Sequence, residues 1–295
     1  MKVLVSGSTG QVGQEIQYLS ENYPEWEFTF LDRENFDLGD AESIKNQLLK
    51  TEADWFINTA AYTAVDKAEM DKETALKVNS EALSHIAAFL PISTKIIHLS
   101  TDYVYHTHPG RPLIETDESQ ALSVYALTKK SGEDNLLKYR PDAIIIRTSW
   151  VYSSYGKNFV KTMKRLGNDK DELSIVSDQN GTPTYARDLA EALLQIIYKV
   201  KPKTEVQNCS GIYNYSNLGQ TNWAEFARTI FKIENISCQV KEISTEAFNA
   251  AAPRPLWSVM SKEKIRSCFD LKIRPWESAL EDCLEILRDD TTDKV

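Results

Sequence analysis

Five short apolar runs, rich in β-branched residues and separated by stretches with helical spacing, restrict this chain more than any other feature. They cover residues 3–6, 28–31, 55–58, 96–99 and 143–147. None alternates apolar with polar residues, so both faces of each strand must be covered. Between them, the spacing predicts helices over 12–19, 41–49, 75–90 (stopped by Pro91) and 124–139. Alternating strands and helices give a parallel sheet between two helical layers. With 295 residues, 42% of them hydrophobic, the chain can bury one such domain and a smaller satellite.

After Trp150 the pattern loosens. Helical spacing reappears over 158–166, 188–198, 223–231 and 276–287, and 211–215 alternates like a strand. The reading is an α/β fold: a Rossmann-type, doubly wound parallel sheet with a smaller, interleaved C-terminal substrate lobe. Residues 1–150 and about 179–210 form the dinucleotide-binding part. Residues of about 151–178 and 211–288 form the substrate lobe, and 289–295 are a polar tail.

The first loop decides what such a sheet would hold. Gly7, Gly10 and Gly13 follow the first strand and open a helix that also carries Gln11 and Val12. Glycine lets backbone N–H groups approach a pyrophosphate, and the helix N-terminus adds favourable partial charge. The spacing is G-x-x-G-x-x-G rather than G-x-G-x-x-G. Asp32 ends the second strand, where an acidic side chain reaches the adenine-ribose hydroxyls and favours NADH. Arg33 follows it and suits a 2′-phosphate, which favours NADPH. Both cofactors stay open. Asp37 and Leu38 are placed to border the adenine.

The chemistry sits further on. Tyr125 and Lys129 are four residues apart on one helix and share a face. A phenol has a pKa of about 10, and a neighbouring ammonium lowers it toward a usable general acid. Thr101, just past the fourth strand, lies where parallel sheets place ligands. A nucleotide turn, a hydroxyl and a Tyr/Lys pair together point to hydride transfer.

Composition excludes several other classes. The net charge of -9 argues against nucleic acid as a partner. Cys209, Cys238, Cys268 and Cys283 are widely spaced and read as reduced thiols. Neither Cys nor His has metal-ligand spacing, and His106 and His108 sit before a Pro109-Gly110 turn, so no metal is expected. No run is long enough for a signal peptide or a membrane span, so the expectation is a soluble, cytoplasmic protein.

The glycine turn, Ser100-Thr101-Asp102-Tyr103-Val104 and Tyr125-x-x-x-Lys129 resemble the extended short-chain dehydrogenase/reductase superfamily. The stretches 58–69, 147–152 and 178–184, with Arg254-Pro255, resemble its branch that reduces dTDP-4-dehydro-L-rhamnose to dTDP-L-rhamnose. That resemblance implies a catalytic trio of Thr101, Tyr125 and Lys129 and a dTDP-sugar partner, with no membrane partner. It implies Ala60, Ala61 and Tyr62 beside the cofactor. It implies Val65, Asp102, Tyr103 and Trp150 around the sugar, Arg254 near the nucleotide end, and a homodimer in some relatives. The chain departs from the pattern at Ala126, in the loop 105–108 and at Trp257. Two alternatives stand beside it: an epimerase or dehydratase with tightly held NAD, and a non-catalytic regulatory subunit. Asp102 is followed by Tyr103 rather than glutamate, which weighs against a dehydratase.

Overall fold

The computed structural model describes residues 1–200 and 209–292. Its longer strands are β1 (Lys2–Ser6), β2 (Glu27–Leu31), β3 (Trp55–Asn58), β4 (Lys95–Thr101), β5 (Ile144–Thr148), β6 (Glu172–Val176), β7 (Gly211–Tyr215) and β8 (Gln239–Ile243). Six form one parallel sheet in the order β7-β5-β4-β3-β1-β2. Chain order reverses between β1 and β3, which opens a crevice at the carboxyl ends of those strands.

The helices that matter for the site are α1 (Gln11–Ser20), α2 (Ala41–Leu48), α3 (Lys72–Leu76), α4 (Ala82–Phe89), α5 (Val124–Tyr139), α6 (Phe159–Asp169), α7 (Ala186–Lys199), α8 (Trp223–Glu234), α9 (Glu263–Phe269) and α10 (Trp276–Thr292). Successive strand residues feed opposite faces. Val3, Val5, Ile57, Ile97 and Ile146 pack with Ile16 of α1 and Leu189 and Leu193 of α7. Leu4, Phe56, Ile96 and Ile145 pack with Ile44, Leu83, Ile86 and Leu136 from α2, α4 and α5. Two buried layers explain why the strands read as unbroken apolar runs.

The helix expected over 75–90 is interrupted. A π-helical turn, Lys77–Glu81, joins α3 to α4. It brings the Asn79 carbonyl against Gly132 of α5, where even a Cβ atom would stand 2.0 Å from that oxygen. The approach of α5 to the sheet is thus set by a glycine meeting a π-turn.

A second core joins α6, α8 and α10 through Val160, Met163, Phe226, Ile230, Leu280 and Leu284. Beside it β6 and β8 pair in parallel. The boundary with the sheet differs from the sequence reading at several points. Gly211–Tyr215, assigned above to the lobe, is the edge strand of the main sheet, in register with Ile144–Thr148. Tyr213 and Tyr215 bury their rings in the sheet core, with Ile265 and Phe269 of α9. Conversely, Asn180–Gly181 pairs with Thr221–Asn222, and Tyr185 lies in the lobe core. The expected tail begins inside α10, which runs to Thr292. Residues 201–208 and 293–295 of the expected segments lie outside the described residues.

Lobe and sheet are stitched at α1. The buried Glu15 carboxylate accepts from Ser153 Oγ at 2.7 Å and Arg187 Nε at 2.7 Å. Asn158 Nδ2 donates to Gln11 Oε1 at 2.9 Å. No described helix is long and apolar enough to cross a membrane.

Candidate active site

The glycine turn is built for close approach. Gly7 has a φ of +74°, and a Cβ there would lie 2.8 Å from the Ala60 nitrogen. The α1 N-terminus has no side-chain cap, so its first-turn N–H groups stay open to an anion. Gly13 serves a different purpose: a Cβ there would meet the Gly7 carbonyl oxygen at 2.2 Å. It lets α1 pack on the turn and does not line the cavity.

From this turn a cavity of about 640 Å³ runs across the crevice. That volume suits a small-molecule or cofactor site. Gly7, Gly10, Gln11 and Val12 line one end with Asp32, Arg33, Asp37 and Leu38. Ala60, Ala61 and Tyr62 line the middle, and Ser100, Tyr125 and Lys129 the far end. Asp32 Oδ1 accepts from the Asn35 backbone at 3.0 Å and from its amide at 2.9 Å. Arg33 is exposed and lies 3.7 Å from Asp37. The residues present therefore fit a dinucleotide: an open helix N-terminus for phosphate, a carboxylate and a guanidinium at the ribose end.

At the chemical end, Ser123 caps α5 by accepting from the Ala126 N–H at 3.1 Å. Glu69 Oε1 accepts from the Val124 N–H at 2.9 Å, placing negative charge at the helix N-terminus. This fixes Tyr125 in the first turn. Its hydroxyl hydrogen-bonds Thr101, and burial together with the nearby Asp102 pushes the phenol up to about 12. Thr101 Oγ1 also donates to Asp102 Oδ1 at 3.2 Å and accepts from the Tyr103 N–H at 3.2 Å. Burial pushes the Asp102 carboxyl up to about 7, against hydrogen bonds from Ser258 and Thr101.

Lys129 departs from the expected role. Its Nζ donates to the Leu99 carbonyl at 2.7 Å and lies 3.2 Å from His98 Nε2. Burial pushes the amine down to about 8, with Glu133 opposing. Tyr125 consequently stands above its ordinary pKa, not below it. The Lys129 amine is held on the strand, and burial of the phenol dominates.

The residues expected around the sugar separate into two groups. Val65, Tyr103 and Tyr125 share an apolar cluster, with the Tyr103 ring edge-on to Tyr125 at 5.5 Å. Arg254 borders it, hydrogen-bonded to Tyr103 and paired with Asp66 through both carboxylate oxygens, at 3.1 and 2.6 Å. That pair holds the Asp66 carboxyl below its usual range. Trp150 stands apart. It adopts a left-handed backbone (φ +47°) and stacks on Trp223 of the lobe at 3.7 Å. Gly181 makes room for it, since a Cβ there would lie 2.7 Å from both the Trp150 ring and Ser258 Oγ. Trp150 is not among the residues that line the cavity.

A buried pair supports the end of β4. Arg147 of β5 meets Glu133 of α5 at 2.9 and 2.6 Å, and Ser100 Oγ donates to the same carboxylate at 2.6 Å.

A family model described as RmlD substrate binding domain matches residues 1–289. The chain belongs to that family. A dTDP-4-dehydrorhamnose reductase of Sinorhizobium fredii (strain NBRC 101917 / NGR234) is 34% identical over 284 residues, covering 95% of each chain. A crystal structure of a dTDP-4-dehydrorhamnose reductase from Clostridium acetobutylicum ATCC 824 superposes with a TM-score of 0.90 at 33% identity, over 98% of this chain and 100% of that one. The Bacillus anthracis str. Ames dTDP-4-dehydrorhamnose reductase, solved in complex with NADP, gives 0.89 at 32% identity, over 96% and 98%.

Sequence reasoning missed Asp66, Asn58, His98, Glu69 and Glu133. Asp66 and Arg254 are 188 positions apart. Asn58 and His98 meet only through the β3–β4 register, which pairs them side by side. No local pattern in the chain signals either contact.

Proposed function

We propose that this chain reduces the C4 ketone of dTDP-4-dehydro-L-rhamnose to dTDP-L-rhamnose, with NADPH or NADH as hydride donor. The observation that carries the proposal is the convergence of Tyr125 and Lys129 on the far end of the glycine-lined cavity, with Thr101 bonded to Tyr125. The descriptions of the Sinorhizobium, Clostridium and Bacillus relatives support the same substrate.

When bound, the nicotinamide supplies the hydride to the carbonyl carbon. Tyr125 gives its proton to the carbonyl oxygen. Burial raises its pKa and keeps the phenol protonated until needed. Thr101, which already bonds Tyr125, steadies the same oxygen. Lys129, released from Leu99 and protonated, lowers the phenol's pKa as charge develops on it. Arg254 presents its guanidinium to the diphosphate. Asp32 and Arg33 hold the adenosine ribose, the carboxylate serving NADH and the guanidinium NADPH. Cytoplasmic placement belongs to the same proposal, supported by four cysteines that form no disulfide.

The test is loss of reduced-nicotinamide absorbance with dTDP-4-dehydro-L-rhamnose, NADH and NADPH side by side. Tyr125→Phe should cost about two to four orders of magnitude in kcat while cofactor affinity holds. Near-normal turnover in that variant would sink the mechanism.

A further inference from the structure

Three polar side chains stand in a row on adjacent strands: Ser6 of β1, Asn58 of β3 and His98 of β4. All three are fully buried. Ser6 Oγ donates to Asn58 Oδ1 at 2.7 Å, Asn58 Nδ2 meets His98 Nδ1 at 3.0 Å, and His98 Nε2 meets Lys129 Nζ at 3.2 Å. One contact fixes the direction of the whole row. The Ala60 backbone N–H, which can only donate, reaches the same Asn58 Oδ1 at 3.2 Å. The other amide atom is therefore Nδ2, a donor, and His98 Nδ1 must accept. A neutral imidazole that accepts at Nδ1 carries its proton on Nε2. That N–H points at the Lys129 amine.

An ammonium has three donors and no acceptor, so it cannot receive this bond. A free amine can, through its lone pair, while still donating to the Leu99 carbonyl at 2.7 Å. We infer that His98 is a positioning residue for Lys129: as the Nε2–H tautomer it holds the amine uncharged on β4 until Lys129 leaves to take up a proton. The inference deepens the proposed reductase reading and rests on Lys129 serving Tyr125. Protonation of Lys129 and its bond to His98 exclude one another, so the cation forms only when the side chain is free to turn from β4.

The surroundings agree. Burial lowers the pKa of both groups, and the charge of Lys129 would lower that of His98 further. The charged groups around the amine are few. Glu133 lies one turn along α5 and is bonded to Arg147 of β5. Asp102, past the end of β4, faces Tyr125.

The tautomer is directly readable. In long-range nitrogen–proton NMR of the full chain without cofactor, His98 should show the neutral Nε2–H form at neutral pH. His98→Gln identifies its signals among those of four histidines. Asn58→Asp should reverse the row: a carboxylate oxygen facing Nδ1 forces the Nδ1–H tautomer and leaves Nε2 to accept from an ammonium. In that variant the alkaline loss of kcat/KM should move to higher pH. An Nδ1–H ring or an imidazolium in the parent chain would overturn the inference, and if Asn58→Asp does not fold, the parent spectrum alone decides. Absence of turnover with the sugar would count against the reductase reading and leave the tautomer result standing.

Discussion

Gly132→Ala tests how the helix that carries Tyr125 and Lys129 is placed. The added Cβ would stand 2.0 Å from the Asn79 carbonyl oxygen in the π-turn. A comfortable carbon–oxygen approach is about 3.3 Å, so α5 or the turn must retreat by roughly 1.3 Å. Neither side yields easily. The clashing atom is backbone, and Asn79 is held from both ends: its Oδ1 accepts from the Tyr62 N–H at 2.9 Å and its Nδ2 donates to the Tyr62 carbonyl at 3.0 Å. Overpacking of this kind costs about 1–3 kcal/mol. In a chain of this size that lowers Tm by about 2–5 °C. Tyr125 and Lys129 ride on the displaced helix, and a misplacement of about 1 Å can cost about a hundredfold in rate. Circular dichroism melts and nicotinamide-coupled turnover would measure the two effects separately. Cofactor affinity should change least, because the glycine turn lies on β1 and α1. A variant with the parent Tm and kcat would show that the π-turn does not set the position of α5, and the reasoning would fail.

Three further outcomes follow from the same geometry. Arg254→Ala removes the guanidinium nearest Tyr103 and should raise KM for the sugar nucleotide about tenfold or more, the value of one charge-assisted hydrogen bond, with a smaller effect on kcat. An unchanged KM would remove Arg254 from the diphosphate site. Glu133→Gln leaves Arg147 buried without a counter-charge and should cost about 3–5 kcal/mol in urea unfolding, most of it recovered in Glu133→Leu/Arg147→Met. Asp102 is a carboxyl whose folded pKa is raised, so the folded state binds the extra proton and stability falls as pH rises from about 4 toward 7. Asp102→Asn should therefore raise Tm more at about pH 8 than at about pH 4.5, and an equal shift at both would refute the assignment.

The main sheet was readable because both its faces are buried, which leaves Val3–Val5 or Ile144–Ile146 no room for polar residues. The Tyr125/Lys129 pair was readable because a helix converts a spacing of four into proximity. What sequence could not supply was long-range register. The strand at Gly211–Tyr215 was visible, but its partner at Ile144–Thr148 lies more than 60 positions upstream, so its allegiance to the sheet was not. The same holds for Asp66 with Arg254 and for Asn58 with His98. The π-turn was hidden for a different reason: residues 77–81 are ordinary helix formers, and only the glycine facing them on α5 shows why the helix widens there.

The polar row across β1, β3 and β4 ties chemistry to folding. In a strand, a slip of one residue turns every side chain to the opposite face. A slip of β3 by one place would carry Asn58 away from both Ser6 and His98 and put an isoleucine or a threonine between them. The inferred proton arrangement at Lys129 would be lost in one step, not weakened by degrees. A chain that misaligns a single central strand would lose the whole row at once, and the sheet would act as an alignment rail for the proton arrangement inferred at Lys129.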